Sequence, residues 1–96
     1  MLYALLCTDK PHSVDLRMKV RAEHLAYLKG PNVSLKSAGP FLDEAGNPTG
    51  SIVIIEAADM AAAKIVAAND PYALAGLFFN VEIKSMRWTI NNPDAA

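Results

Sequence analysis

The stretch Val33-Ser34-Leu35-Lys36-Ser37-Ala38-Gly39-Pro40-Phe41, continued by Asp43-Glu44-Ala45-Gly46-Asn47-Pro48-Thr49-Gly50 and Ser51-Ile52-Val53-Ile54-Ile55-Glu56, decides the architecture. In its first part Val33, Leu35 and Ser37 alternate with Ser34, Lys36 and Ala38, the period of a strand with one face inward. Gly39-Pro40 interrupts that alternation. The middle part is polar and dense in turn residues, so it reads as a solvated connection. Ser51 to Glu56 supplies another strand. A hairpin therefore occupies the centre of the chain, and what flanks it sets the fold.

Upstream, Leu2 to Thr8 is short and apolar and closes on Asp9-Lys10-Pro11, which predicts a buried first strand. Ser13 can then cap a helix on which Leu16, Val20, His24 and Leu28 recur every fourth position as one stripe. Gly30-Pro31 ends it. Downstream, Asp59 is a good N-cap for Met60 to Ala68. Asn69-Asp70-Pro71 breaks that helix, since proline lacks the backbone donor and biases the residue before it away from helical geometry. Tyr72 to Gly76 reads as a short helical piece. Phe78 to Ile90 places Phe79, Val81, Ile83 and Ser85 on one strand face, and the tail Asn91 to Ala96 reads as frayed.

The order β-α-β-β-α-β predicts an α+β, ferredoxin-like domain: an antiparallel sheet with both helices on one face. The other face then needs a cover, which predicts a homodimer. At 96 residues, 52% hydrophobic and 20% charged, the chain reads as a single folded domain over 1–96. Net charge is -1 with basic residues dispersed, so no nucleic-acid partner is expected. The run Leu2 to Cys7 is too short to span a bilayer and lacks the basic start of a signal peptide. No membrane association is therefore expected, and cytoplasmic residence is the default. A lone cysteine, Cys7, excludes an internal disulfide and reads as a buried, inert thiol.

His24 is the most informative polar residue, because its spacing from Val20 and Leu28 turns the imidazole toward the apolar side of its helix. It needs a polar partner there. Asp70 is the natural one by residue type, since a carboxylate bonded to one imidazole nitrogen fixes the tautomer and leaves the other nitrogen free. Taken alone, each residue also fits a structural role: a satisfied core histidine, and an aspartate capping a turn. Arg17 and Arg21, one turn apart, can bind an anionic group or form a solvated face. Ser51 at a strand entrance can bond a ligand or a turn. Tyr72 can line a pocket or pack over the helix break. Ser37 and Gly39 can offer a hydroxyl and a close backbone approach, although a bulge before Pro40 explains the glycine equally well. His12 has no metal-ligand spacing with His24, so no metal is expected.

Beyond these weak signals, the chain resembles the YciI-like, or YCII-related, family of small α+β proteins over nearly its whole length. The resemblance is carried by Asp9-Lys10, Ser13, Arg17, Arg21 and His24-Leu25. It continues through Ala38-Gly39-Pro40, Gly50-Ser51, Asp70-Pro71-Tyr72, Ala75-Gly76 and Val81-x-Ile83-Lys84. It implies a ferredoxin-like fold, a dimer of the α/β-barrel type, and an active site centred on His24 and Asp70. The resemblance also implies chemistry of the kind some relatives are linked to, eliminations or rearrangements of small cyclic or aromatic compounds, while most members have no assigned substrate. Gly30-Pro31-Asn32 stops the first helix sooner than is usual in the family, which implies a changed pocket rim. The expected function is thus cofactor-free general acid/base catalysis on a small molecule by His24 and Asp70, with Arg17, Arg21, Ser37, Ser51 and Tyr72 contacting substrate. A non-catalytic metabolite-binding or accessory module is the alternative.

Overall fold

The computed structural model describes residues 1–94. Its elements are β1 (Leu2–Asp9), α1 (Val14–Leu28), β2 (Ser34–Leu42), β3 (Pro48–Glu56), α2 (Met60–Ala68), α3 (Pro71–Leu74) and β4 (Phe78–Met86). The four strands form one sheet in the order β2-β3-β1-β4, with every neighbouring pair antiparallel. This is the split β-α-β arrangement the element order predicts. The two most apolar strands, β1 and β3, take the centre. Exposed Lys36, Ser37, Glu82 and Lys84 sit on the edge strands, where charge and polarity discourage further pairing.

Alternation along the strands separates two sheet faces. Tyr3, Leu5 and Cys7 of β1 and Val53 and Ile55 of β3 share one face and pack with Leu28 of α1 and Ala63 of α2. Ile55 and Ala63 are completely enclosed. Small alanine side chains let α2 lie close to the sheet, and Asp59 starts the helix by accepting from the Ala62 amide at 2.8 Å. Ala4, Leu6, Ile52 and Ile54 alternate onto the opposite face, away from α1 and α2.

Four local expectations are corrected. The connection in the central hairpin is shorter than Asp43 to Gly50: β3 begins at Pro48, and Asp43 Oδ1 closes the turn by accepting from the Ala45 and Asn47 amides, both at 2.9 Å. Ser13 occupies the N-cap of α1, but its hydroxyl donates to the Pro11 carbonyl instead of capping the helix. The buried stripe of α1 is Arg17, Val20, His24 and Leu28. Leu16 is only half-buried, because the 3.6-residue period brings position 17 round to the core. Phe79 is 73% exposed, since a register shift between Thr8 and Asp9 places Phe78 opposite Asp9 and turns Phe78 inward.

The last strand ends at Met86, short of Ile90. Beyond it Trp88 Nε1 donates to the Ile90 carbonyl, Asn92 Nδ2 donates to the Trp88 carbonyl, and Asp94 lies 3.5 Å from Lys36. The expected frayed tail extends to Ala95 and Ala96, which lie outside the described residues. Among the described residues no helix is long and apolar enough to cross a membrane.

Candidate functional site

The backbone break after α2 is what aims Asp70. Proline at position 71 offers no amide hydrogen, so the first donor past Asp70 is the Tyr72 N–H, which donates to Asp70 Oδ1 at 2.9 Å. From this fixed position Asp70 accepts from His24 Nδ1, at 2.8 Å to Oδ1 and 2.9 Å to Oδ2. Both residues are only 6% exposed. An ionised carboxylate only accepts, so the ring proton sits on Nδ1. Nε2 makes no hydrogen bond among the described residues. The sequence brings the pair to one site from positions 46 residues apart.

A second buried network lies two turns back along α1. Arg17 donates from Nε to Asp9 Oδ2 at 2.7 Å and from Nη2 to Asp9 Oδ1 at 2.9 Å, a two-point pairing. The same Nη2 donates to Ser51 Oγ at 2.9 Å. Burial works against the guanidinium charge, but the Asp9 carboxylate, aided by Tyr72, outweighs it and holds Arg17 above its ordinary pKa. Ser51, opposite Cys7 in the β1–β3 pairing, follows a glycine packed directly on the β1 backbone. A Cβ on Gly50 would stand 2.3 Å from the Cys7 carbonyl oxygen, so only glycine fits before Ser51.

Tyr72 joins the two networks. Its ring stacks on His24 with centroids 3.9 Å apart and planes 16° from parallel, and the Arg17 guanidinium carbon lies 4.7 Å from its centroid. Arg17 and His24 are two helical turns apart on one face of α1, so the tyrosine fills the gap between them. Phe78 braces it edge-on at 6.0 Å. Burial raises the Tyr72 phenol pKa against the pull of Arg17 and Arg21, with Asp70 adding to the rise. The hydroxyl therefore keeps its proton at neutral pH.

Between α1 and the β2–β3 hairpin lies a cavity of about 200 Å³. Its polar wall is Arg17, Arg21, His24, Ser51 and Tyr72, and its apolar wall includes Leu25, Leu28, Pro40, Pro48 and Val53. Of the residues singled out from sequence, Asp70 stands behind His24, and Ser37 is not brought to the cavity. Ser37 is exposed and pairs with Ile54 on the opposite sheet face, because the bulge at Lys36 shifts the register after Leu35. Gly39 does line the cavity. Asp9, which the sequence marks as a turn residue and as part of the family resemblance but not as a site residue, has its carboxylate buried against Arg17. A carboxylate directly closing an apolar strand, eight residues before a buried arginine, was the signal available. A wider groove of about 500 Å³ between α2 and β4 has Lys64 as its single titratable lining residue. Among the described residues no three His, Cys, Asp or Glu side chains converge as a metal site would need.

Comparison with known proteins adds a family to this geometry. The model of the YCII-related domain matches residues 1–87. An uncharacterized protein of Haemophilus influenzae is 37% identical, with 91% of this chain and 97% of that one covered. Protein YciI of Escherichia coli is 36% identical at the same coverage. Among solved structures, 5-chloro-2-hydroxyhydroquinone dehydrochlorinase (TftG) from Burkholderia phenoliruptrix, in complex with 2,5-dihydroxybenzoquinone, superposes with a TM-score of 0.79. It is 32% identical, covering 93% of this chain and 94% of its own. A NIPSNAP family protein from Agrobacterium tumefaciens, 17% identical with a TM-score of 0.59 over 98% of this chain and 97% of its own, shares the fold alone. With the family model spanning most of its length and curated relatives above 30% identity, this chain belongs to the YCII-related family.

Proposed function

We propose that the protein is a small-molecule enzyme in which His24 moves a proton on a small cyclic compound, with elimination or isomerisation as the reaction. The observation that carries this reading is the bond from His24 Nδ1 to both oxygens of Asp70 at a cavity that the imidazole lines. The carboxylate holds the tautomer whose Nε2 can accept a proton and then stabilises the imidazolium that results. The similarity to a dehydrochlorinase supports elimination. In such a step the base takes a proton from the substrate, the freed electrons form a new double bond, and chloride leaves with the electron pair of its carbon bond. The loss of HCl needs no oxidant, so the residues at hand suffice and no cofactor is invoked.

Negative charge develops on a substrate oxygen when His24 takes the proton, and Arg17 and Ser51 are suited to meet it. Arg17 occupies one Ser51 lone pair, which leaves the hydroxyl proton to point elsewhere, and both residues line the same cavity. Donors fixed before reaction stabilise such charge without reorganising. Asp9 acts as a positioning residue by holding the guanidinium in its plane. Tyr72 sets the imidazole plane by stacking. A homodimer of the α/β-barrel type, its open sheet faces packed together, and a cytoplasmic setting complete the reading.

The test follows chloride release from 5-chloro-2-hydroxyhydroquinone. His24→Gln is expected to lower kcat by about 10²–10⁴-fold, and Asp70→Asn to lower it while shifting the imidazole tautomer seen by nitrogen NMR. Full turnover by a folded His24→Gln protein removes the histidine from the mechanism. Binding of 2,5-dihydroxybenzoquinone without any chloride release favours a non-catalytic module.

A further inference from the structure

Arg17 and Arg21 both line the cavity, but only one has its charge answered from within the protein. Arg17 is locked to Asp9. Arg21 forms no ion pair among the described residues, and it is exposed. Its position on α1 explains why. Along α1 the side chains beside Arg21 are those three and four residues away, namely Arg17, Met18, His24 and Leu25. None is acidic, one is a like charge, and all four line the cavity. The helix thus carries a cation without an ion pair at the rim, on the turn of α1 between Arg17 and His24.

The cavity limits what can approach that cation. A volume of about 200 Å³ holds one six-membered ring with a few small substituents, given that cavities of about 150 Å³ accept benzene. Leu25, Leu28, Pro40, Pro48 and Val53 form an apolar wall suited to the face of such a ring. We propose that Arg21 is a substrate-selecting residue whose guanidinium meets an oxygen already ionised on a small ring compound bound beside His24. This rests on the proton-transfer reading only for its choice of cavity. The substrate class is accordingly a ring anion, either a carboxylate or an enolate-type oxygen, and not its neutral counterpart. A planar guanidinium favours either oxygen geometry through charge-assisted hydrogen bonds.

Two matched probe pairs test this by calorimetric titration of the whole protein: benzoate against benzamide, and 2,5-dihydroxybenzoquinone against hydroquinone. At least one anion is expected to bind on the order of tenfold more tightly than its neutral partner. Which pair shows the preference identifies the carboxylate or the enolate source. Arg21→Gln, an exposed change that leaves the core untouched, is expected to erase the preference without weakening the neutral probe. Arg21→Lys should restore part of it, and added salt should shrink it. The proposal is overturned if neither anion is preferred, or if Arg21→Gln keeps the preference. His24→Gln separates the two readings: turnover lost with preference retained supports both. Turnover unchanged with preference retained sinks proton transfer by His24 and leaves the role of Arg21 standing.

Discussion

At the scale of single residues, environment decides what identical chemistry does. Arg17 and Arg21 are one turn apart, yet the first is buried in a two-point pair and the second stands at the rim. Cys7 shows the same principle for a nucleophile. It pairs with Ser51 across β1 and β3 inside the core. Burial pushes its thiol up to about 12, with the Asp70 charge adding to the shift. A thiol so protonated is inert, so Cys7 is expected to resist alkylation at about pH 8 until the protein unfolds. The same shift carries a stability consequence. The folded thiol keeps its proton while the unfolded one loses it near 9.0, so stability contributed below that pH is lost as pH rises toward about 12. Tyr27 and Tyr72, also raised by burial, act in the same direction. Urea unfolding between about pH 8 and about pH 10.5 should show a falling stability whose slope is shallower in Cys7→Ala. Parallel slopes in the two proteins would contradict this account.

At the scale of elements, the backbone approach at Gly50 ties the fold to the site. The Cβ of an alanine there would meet the Cys7 carbonyl oxygen at 2.3 Å, a backbone atom that cannot swing away. Gly50→Ala is expected to cost about 1–3 kcal/mol of stability and to move Ser51 off Arg17. Chemical denaturation reads the first effect, and a weakened affinity for 2,5-dihydroxybenzoquinone reads the second. An alanine variant as stable as the parent would show that β1 and β3 separate at little cost. Elements of this kind were partly legible in the sequence. The bounds of α2 and the capping role of Asp59 follow from alanine content and one aspartate, both local signals. The sheet faces taken by Ser37 and Phe79 were not legible, because each depends on a bulge set by the neighbouring strand. His24 could be read as turned inward from helical spacing. That it meets Asp70 depends on how α1 packs on α3, which periodicity within one helix does not encode. The Asp9–Arg17 pairing was not legible for the same reason: a turn residue by composition becomes an ion-pair partner only once α1 lies over β1.

At the scale of the whole molecule, the helices spend their apolar stripes on one sheet face. The core holds Tyr3, Leu5, Cys7, Val53 and Ile55 against α1 and α2. Leu6, Ile52 and Ile54 on the other face are left half-buried, in the centre of the sheet where β1 and β3 pair. Adjacent aliphatic side chains of this kind on central strands form a continuous apolar surface, and monomeric proteins seldom leave one facing water. A second copy presenting the same strands can cover it through a two-fold axis, since the patch is then its own complement. The expected outcome is a dimer by light scattering at micromolar concentration. Ile54→Lys places an ammonium group at the middle of that contact while leaving the helix-facing core intact, and it should shift the protein toward monomer. Because the site cavity lies on the helix side of the sheet, between α1 and the β2–β3 hairpin, binding of 2,5-dihydroxybenzoquinone to the monomeric variant tells whether the cavity needs the second copy. Retained affinity means that the chain builds its cavity alone and uses the dimer for stability. Lost affinity with a folded core means that packing of the two sheets sets the positions of β2 and β3, and through them the cavity wall. A wild-type protein that scatters as a monomer would refute the dimer and require the aliphatic face to be tolerated in water.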